Sequence, residues 1–252
     1  MAKDMTNENP VEIPAVEEAP PVRRDYNLYV KHYPHSSVAE SFRMLRTNLL
    51  LANIDRGINS LVITSADRGE GKSTVCANLA VILSQAEKRV LVLDCDLRLP
   101  SQQQLFDLRS DIGLTDLVGS FDADKKPPFP EEIMPGLTVL GSGPPPPNPS
   151  EFLGSNRFRA FFDYATSSFD TVILDAPPVG LVTDAAVISA MVDGTILVLD
   201  AQAGHRNLAV RAKTALEQVN ANIIGLVLNN VRQEKSLYSY AYYRGNYSLN
   251  PE

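Results

Sequence analysis

The sequence predicts a three-layer α/β fold with a mostly parallel central sheet. Three observations predict it. From residue 58 onward, short β-branched runs alternate with helical stretches. Four of those runs, LVIT, VLVLD, TVILD and TILVL, are apolar on both faces, as a parallel strand covered by helices requires. The chain of 252 residues, 44% of them hydrophobic, is long enough to bury a sizeable core. The candidate strands are residues 60–64, 89–94, 137–140, 171–175, 194–199 and 223–228.

The elements follow in order. Residues 1–25 carry four prolines and six acids with little apolar periodicity, and read as a disordered acidic tail. The domain proper spans 26–231. It opens on Ser37-x-x-Glu40, a capping-box pattern, before a helix in which Val38, Phe42, Leu45 and Leu49 make one apolar face. Residues 120–136 are polar and Pro-rich, a surface excursion, and Gly143-Pro144-Pro145-Pro146-Pro147 is stiff and extended. From 232 to 252 the periodicity stops and a flexible tyrosine-rich tail begins.

Composition excludes several classes. A net charge of -7 argues against a generic nucleic-acid surface. No apolar run approaches the roughly 18 residues of a membrane span, and the acidic N-terminus lacks the apolar core of a secretory signal. Cys76 and Cys95 form no CxxC and no metal spacing, so they read as reduced, part-buried core residues of a cytoplasmic protein.

The strongest motif is Ala66-Asp-Arg-Gly69-Glu70-Gly71-Lys72-Ser73-Thr74, between the strand LVIT and the helix STVCANLAVIL. This is a P-loop in its required strand–loop–helix context. Gly69 and Gly71 let backbone N–H groups curl around a phosphate, and the next helix presents its positive end to the same anion. Lys72 can reach the β- and γ-phosphates, and Ser73 can ligate Mg²⁺. The first motif position is Ala66 where glycine is usual. Nucleotide chemistry also needs carboxylates opposite the loop. The strand VLVLD ends in Asp94-Cys95-Asp96, whose spacing puts both carboxylates on one side of an extended chain, and TVILD ends in Asp175. Both ends lie where open α/β sheets bind ligands.

With these residues in place, the sequence resembles the bacterial tyrosine kinases (BY-kinases), the autokinases of capsule and exopolysaccharide synthesis. The resemblance covers roughly residues 30–247. Glu40-x-x-Arg43-x-x-Arg46 matches the family's oligomerisation signature, and Ala66–Thr74 its Walker A. Val90–Pro100 matches Walker A′, with Leu99 in place of the usual Arg. Pro147–Glu151 matches a family loop, and Asp170–Pro178 matches Walker B. The resemblance implies a P-loop fold using ATP and Mg²⁺, with Gly69, Glu70, Gly71, Lys72, Ser73, Thr74 and Asn229 on the nucleotide. Ser73, Asp96 and Asp175 would lie on the metal, and Asn229 would contact the adenine, although a strand-end Asn in a turn explains the same residue. Lys72, Asp94, Asp96 and Asp175 carry the chemistry. Asp94 is favoured as the base that accepts the tyrosine proton, but the three aspartates can exchange roles.

Five of the nine tyrosines, Tyr238, Tyr240, Tyr242, Tyr243 and Tyr247, crowd the tail among Ser, Gly, Asn and Arg. By resemblance they are autophosphorylation sites, used between protomers of a homo-oligomeric ring. Glu40, Arg43 and Arg46 stand three apart on one helix and share one exposed side, either as a solvated face or as the ring contact. The resemblance further implies a transmembrane polysaccharide co-polymerase adaptor that activates the kinase, a cognate tyrosine phosphatase, and a cytoplasmic location at the inner face of the membrane. Two rivals stay open: a partition or septum-positioning ATPase, and a nucleotide-binding regulatory subunit without transfer. The first carries a signature Lys early in Walker A, where this chain has Asp67.

Overall fold

The computed structural model describes residues 28–53, 57–110, 112–203 and 206–231. The expected tails, the five clustered tyrosines included, lie outside the described residues. The chain runs α1 (Tyr29–His32), α2 (Ser37–Asn53), β1 (Ser60–Ser65), α3 (Lys72–Ser84), β2 (Val90–Asp94), α4 (Gln102–Leu105), α5 (Leu114–Gly119) and β3 (Leu137–Leu140). It continues through α6 (Pro149–Leu153), α7 (Asn156–Ser168), β4 (Thr171–Asp175), α8 (Asp184–Ser189), β5 (Gly194–Asp200), α9 (Arg206–Gln218) and β6 (Ile223–Asn229). The six strands pair in the order β3-β2-β4-β1-β5-β6, and every pairing is parallel.

The two-fold alternation of strand side chains divides the core. Leu61, Ile63, Val90, Val92 and Ile173 pack against α1, α2 and α3. Val62, Leu91, Leu93, Val172 and Leu174 pack against the layer of α5 to α9. This parity decides where the strand ends point. Asp94 continues the Val90–Val92 row and Asp175 the Ile173 row, so both project toward the α3 layer. Asp94 and Asp175 are also register partners across β2 and β4, which sets the two carboxylates side by side.

Three local expectations change. The helix at residue 37 is capped one residue earlier: Ser36 Oγ accepts the Ala39 N–H at 3.2 Å, and Glu40 reaches forward to Arg43. The cap satisfies a first-turn donor, as Ser37 and Glu40 were expected to do together. The 120–136 segment is only partly a surface excursion. Phe121 and Phe129 place their rings 5.8 and 5.7 Å from Phe161 of α7, because α7 leaves an aromatic stripe that this segment covers. Cys76 and Cys95 are free and wholly buried rather than part-buried. At the edge of the sheet, β6 leaves Leu226 and Leu228 exposed.

Candidate active site

The P-loop joins β1 to α3 and curls over the C-terminal ends of the strands. Two glycines are required by close approach. A Cβ on Gly71, whose φ is +89°, would lie 2.0 Å from Asn229 Nδ2. A Cβ on Gly180, just beyond β4, would lie 2.3 Å from the Ala66 carbonyl. Ala66 itself has no positive φ and its side chain is buried, so the departure from glycine at that position leaves the loop unstrained. Glu70 does not offer its side chain to a ligand. It is buried, and its Oε2 accepts the Asp67 N–H at 2.8 Å. Its backbone carbonyl accepts Asn229 Nδ2 at 3.0 Å. The loop is thus stapled from within and from β6, leaving its backbone to face an anion.

Lys72 lies among the carboxylates. Its Nζ is 2.8 Å from Asp96 Oδ2 and 3.6 Å from Asp175 Oδ1, and donates to Ser73 Oγ at 3.0 Å. Burial works against the ammonium, but Asp175, Asp96 and Asp94 outweigh it and hold its pKa above the ordinary value. Asp175 is fully buried, and burial raises its pKa against the opposing pull of Lys72. Asp94 is pushed up to about 7 by burial and by Asp175, against the N–H groups of Gln102 and Ser101. Both oxygens of Asp94 are engaged: Oδ1 accepts Asp96 N–H at 3.2 Å, and Oδ2 accepts Ser101 and Gln102 N–H at 2.9 Å each.

The residues fit a hard divalent cation. Three carboxylates face one ammonium, which leaves the cluster short of positive charge. The donors are all oxygen, and Asp175 Oδ1 and Gln102 Oε1 are buried without a hydrogen-bond partner among the described residues. Among the described residues, no three His, Cys, Asp or Glu side chains converge on one metal position. Mg²⁺ binds nucleotide sites through one or two carboxylates, phosphate and water.

The other expected residues fall in two places. Asn229 is at the loop, against Gly71 and Glu70. Glu40, Arg43 and Arg46 sit on α2, away from the loop, and do not share one exposed side. Arg43 pairs with Glu40 at 2.8 Å, whereas Arg46 turns in toward α3, its Nη1 3.5 Å from the Ile82 carbonyl. Helix α3 draws that guanidinium inward because its last carbonyls lack intrahelical donors. Sequence reasoning missed Gln102 and Asp184. Asp184 is buried and takes a bidentate contact from Arg98 at 2.8 and 3.1 Å. Ser150, from the Pro147–Glu151 segment, donates to the same carboxylate. Arg98 and Ser150 overcome the upward push of burial and keep its pKa low. The spacings of 86 and 34 residues leave no local signal.

Loop, sheet order and strand-end carboxylates define a P-loop nucleotide-binding domain. The profile of the CobQ/CobB/MinD/ParA nucleotide binding domain matches residues 61–246. Putative tyrosine-protein kinase CapB of Staphylococcus aureus is 36% identical over 216 residues, 86% of this chain and 94% of its own. The kinase domain of the Escherichia coli tyrosine kinase ETK superposes with a TM-score of 0.77 at 30% identity, covering 90% of this chain and 86% of that one. Tyrosine-protein kinase wzc of Salmonella typhi is 33% identical over 85% of this chain, but that match spans 30% of its own length. The chain belongs to the bacterial tyrosine kinases. The profile alone spans MinD and ParA as well; identity of this order to named kinases separates the chain from the partition and septum-positioning ATPases.

Proposed function

We propose that this chain is an ATP-dependent protein-tyrosine kinase that phosphorylates its own C-terminal tyrosine cluster between protomers, and so regulates capsular or exopolysaccharide synthesis and export. The observation that carries this reading is Lys72 Nζ held 2.8 Å from Asp96 and 3.6 Å from Asp175 beside Ser73, at the mouth of a P-loop. Backbone N–H groups of residues 69–74 receive the phosphates of ATP, and Lys72 supplies charge to the phosphate oxygens. Ser73 and Asp175 would hold Mg²⁺, directly or through its water. When bound, Mg²⁺ supplies positive charge that neutralises the transferring phosphoryl group.

A tyrosine hydroxyl has a pKa of about 10 and must lose its proton as it attacks. Asp96 is the acceptor the geometry favours over Asp94. Its Oδ1 accepts the Leu99 N–H at 3.0 Å, and its Oδ2 meets Lys72 Nζ at 2.8 Å. Asp94 has no free oxygen, and its role is to hold the turn that follows β2.

The wider assignments rest on family resemblance: a homo-oligomeric ring, a membrane adaptor that activates the kinase at the inner face of the membrane, and a cognate phosphatase that resets the tail. No helix among the described residues is long and apolar enough to cross a membrane. The test is a phosphotyrosine immunoblot of purified protein with ATP and Mg²⁺. Signal is expected from the wild type and absent when Tyr238, Tyr240, Tyr242, Tyr243 and Tyr247 are all Phe. A silent wild type, with and without adaptor, would refute the reading.

A further inference from the structure

We propose that Gln102 is a positioning residue for phosphoryl transfer, one that selects which oxygen of Asp175 faces the reacting groups. The inference rests on the kinase reading above and deepens it. Gln102 opens α4 and is wholly buried. Its backbone N–H donates to Asp94 Oδ2 at 2.9 Å. Its side-chain Nε2 donates to Asp175 Oδ2 at 2.7 Å and to the Ser73 carbonyl at 3.2 Å. One residue therefore joins the end of β2, the end of β4 and the first turn of α3, the three segments that carry the aspartates, Lys72 and Ser73.

The amide has a forced orientation. Both partners of Nε2 are acceptors only, so the amide nitrogen must face them. Asp175 Oδ2 is thereby occupied, and Oδ1 is left toward Lys72, 3.6 Å away. A buried carboxylate free to turn would present either oxygen; this one cannot. The forced orientation also fixes Oε1, which is buried with no partner among the described residues. A buried acceptor without a donor is costly, and sites keep one where a donor arrives with the ligand. Water on a hydrated cation is such a donor. Glutamine suits the position because it donates without charge. A second ammonium would compete with Lys72 for Asp175, and a carboxylate would repel Asp175.

A purely structural staple predicts a different outcome from a positioning role, and Gln102→Met separates them because it keeps the volume and removes the donor. The full chain is measured in three ways: Mn²⁺ affinity of the ADP-bound protein by electron paramagnetic resonance, ADP affinity by calorimetry, and kcat and KM for ATP. Loss of a hydrogen bond to a ligand-holding carboxylate changes metal affinity or rate by roughly 10- to 100-fold. For Q102M we expect Mn²⁺ affinity and kcat each to fall in that range, while ADP affinity and KM for ATP change less than about threefold, because Gln102 meets the loop only at the Ser73 carbonyl and at none of the N–H groups that face the phosphates. A folded Q102M with Mn²⁺ affinity and kcat within about threefold of wild type would overturn the proposal, as would a parallel loss of ADP affinity. If Q102M does not fold, Gln102→Asn decides by the same criteria, since its amide stops one methylene short of Asp175. Failure of the kinase reading itself would show separately, as a wild type that binds Mn²⁺ with ADP but makes no phosphotyrosine.

Discussion

Replacing Lys72 with Met should do two separable things: abolish phosphoryl transfer, and make the stability of the nucleotide-free protein fall as pH rises. The second effect comes from the burial of Asp94, Asp96 and Asp175 around one ammonium. Removing one partner of a buried ion pair costs about 3–5 kcal/mol when the remaining charge must stay ionised. Lys72 also pays for its own burial, so the expected loss near pH 8 is at the lower end, about 2–4 kcal/mol. The sign over pH follows from both partners. Lys72 has a raised pKa in the fold, so its stabilisation is complete below the unfolded value and is lost only as pH rises through the folded one, well above the range tested. The carboxylates behave oppositely. Burial and Asp175 already push Asp94 up to about 7 with Lys72 present, and removing the ammonium, which opposes that rise in both Asp94 and Asp175, raises the two further. Between the unfolded value of about 4 and those raised values, the folded variant holds more protons than the unfolded chain, so its stability falls as pH rises. One extra proton gives a slope of about 1.4 kcal/mol per pH unit. Urea unfolding of wild type and K72M without nucleotide, at pH 5.5, 7 and 8.5, should show the gap between them widening with pH. A gap that stays constant over that range would refute the electrostatic account, and normal autophosphorylation by K72M would refute the P-loop assignment.

Four further outcomes are expected. Asp96→Asn should keep the thermal midpoint within a few degrees yet lower transfer by about 10² or more, whereas Asp94→Asn should cost about 1–3 kcal/mol of stability, because its amide would face backbone N–H donors; equal effects on both properties would remove the division of roles. Replacing Glu40, Arg43 and Arg46 together with Ala should lower the mass seen by light scattering while circular dichroism keeps its helical signal, and an unchanged mass would favour a solvated face. In the wild type that mass should fall as phosphate accumulates, each phosphotyrosine adding about -1.5 to -2 charges to a protein at -7, while oligomers of the five-Phe tail variant persist with ATP; tightening on phosphorylation would contradict electrostatic release. Asp170, held down at about 2 by Arg89, should contribute stability present above about pH 4 and lost toward pH 2; Asp170→Asn should flatten that acid limb by less than about 1 kcal/mol, since the pair is largely exposed, and an unchanged limb would show the pair to be silent.

The sheet was legible because its signal is local. A strand buried on both faces is written as a short apolar run, and each of the six lies within one residue of the expected ends. The loop and the aspartates were legible for a related reason: Gly69, Gly71 and Lys72 act through their own backbone or at the tip of their own segment, and the parity of a strand places Asp94 and Asp175 without reference to anything distant. The errors lie where a distant partner decides. Ser37 and Ser36 are equally good caps in sequence, and the chain's approach from α1 selects Ser36. Arg46 has the helical spacing of an exposed residue, but the carbonyl of Ile82, which draws it inward, is 36 residues away. Phe121 and Phe129 stand in a polar, Pro-rich stretch and acquire partners only when α7 is laid beneath them.

The same distinction explains why the residues clustered at the loop were easier to find than those that brace them. Lys72, Asp96 and Asp175 belong to motifs because each sits at the end of a regular element, where spacing and type can be read together. Gln102 lies 73 residues from the carboxylate it orients, and Arg98 lies 86 from Asp184. Neither partner has a spacing to betray it, because through-space contacts between segments obey no sequence period. Gln102 nonetheless touches a carboxylate that the motifs supply. A carboxylate in a buried site has two oxygens, and catalysis depends on which one faces the substrate. The sheet brings Asp175 to the mouth of the loop; the glutamine on the neighbouring turn decides how it is presented there. Variation at Gln102 should therefore tune metal affinity and rate among proteins whose motifs are identical, which makes this position the one to compare when activities differ and the P-loop does not.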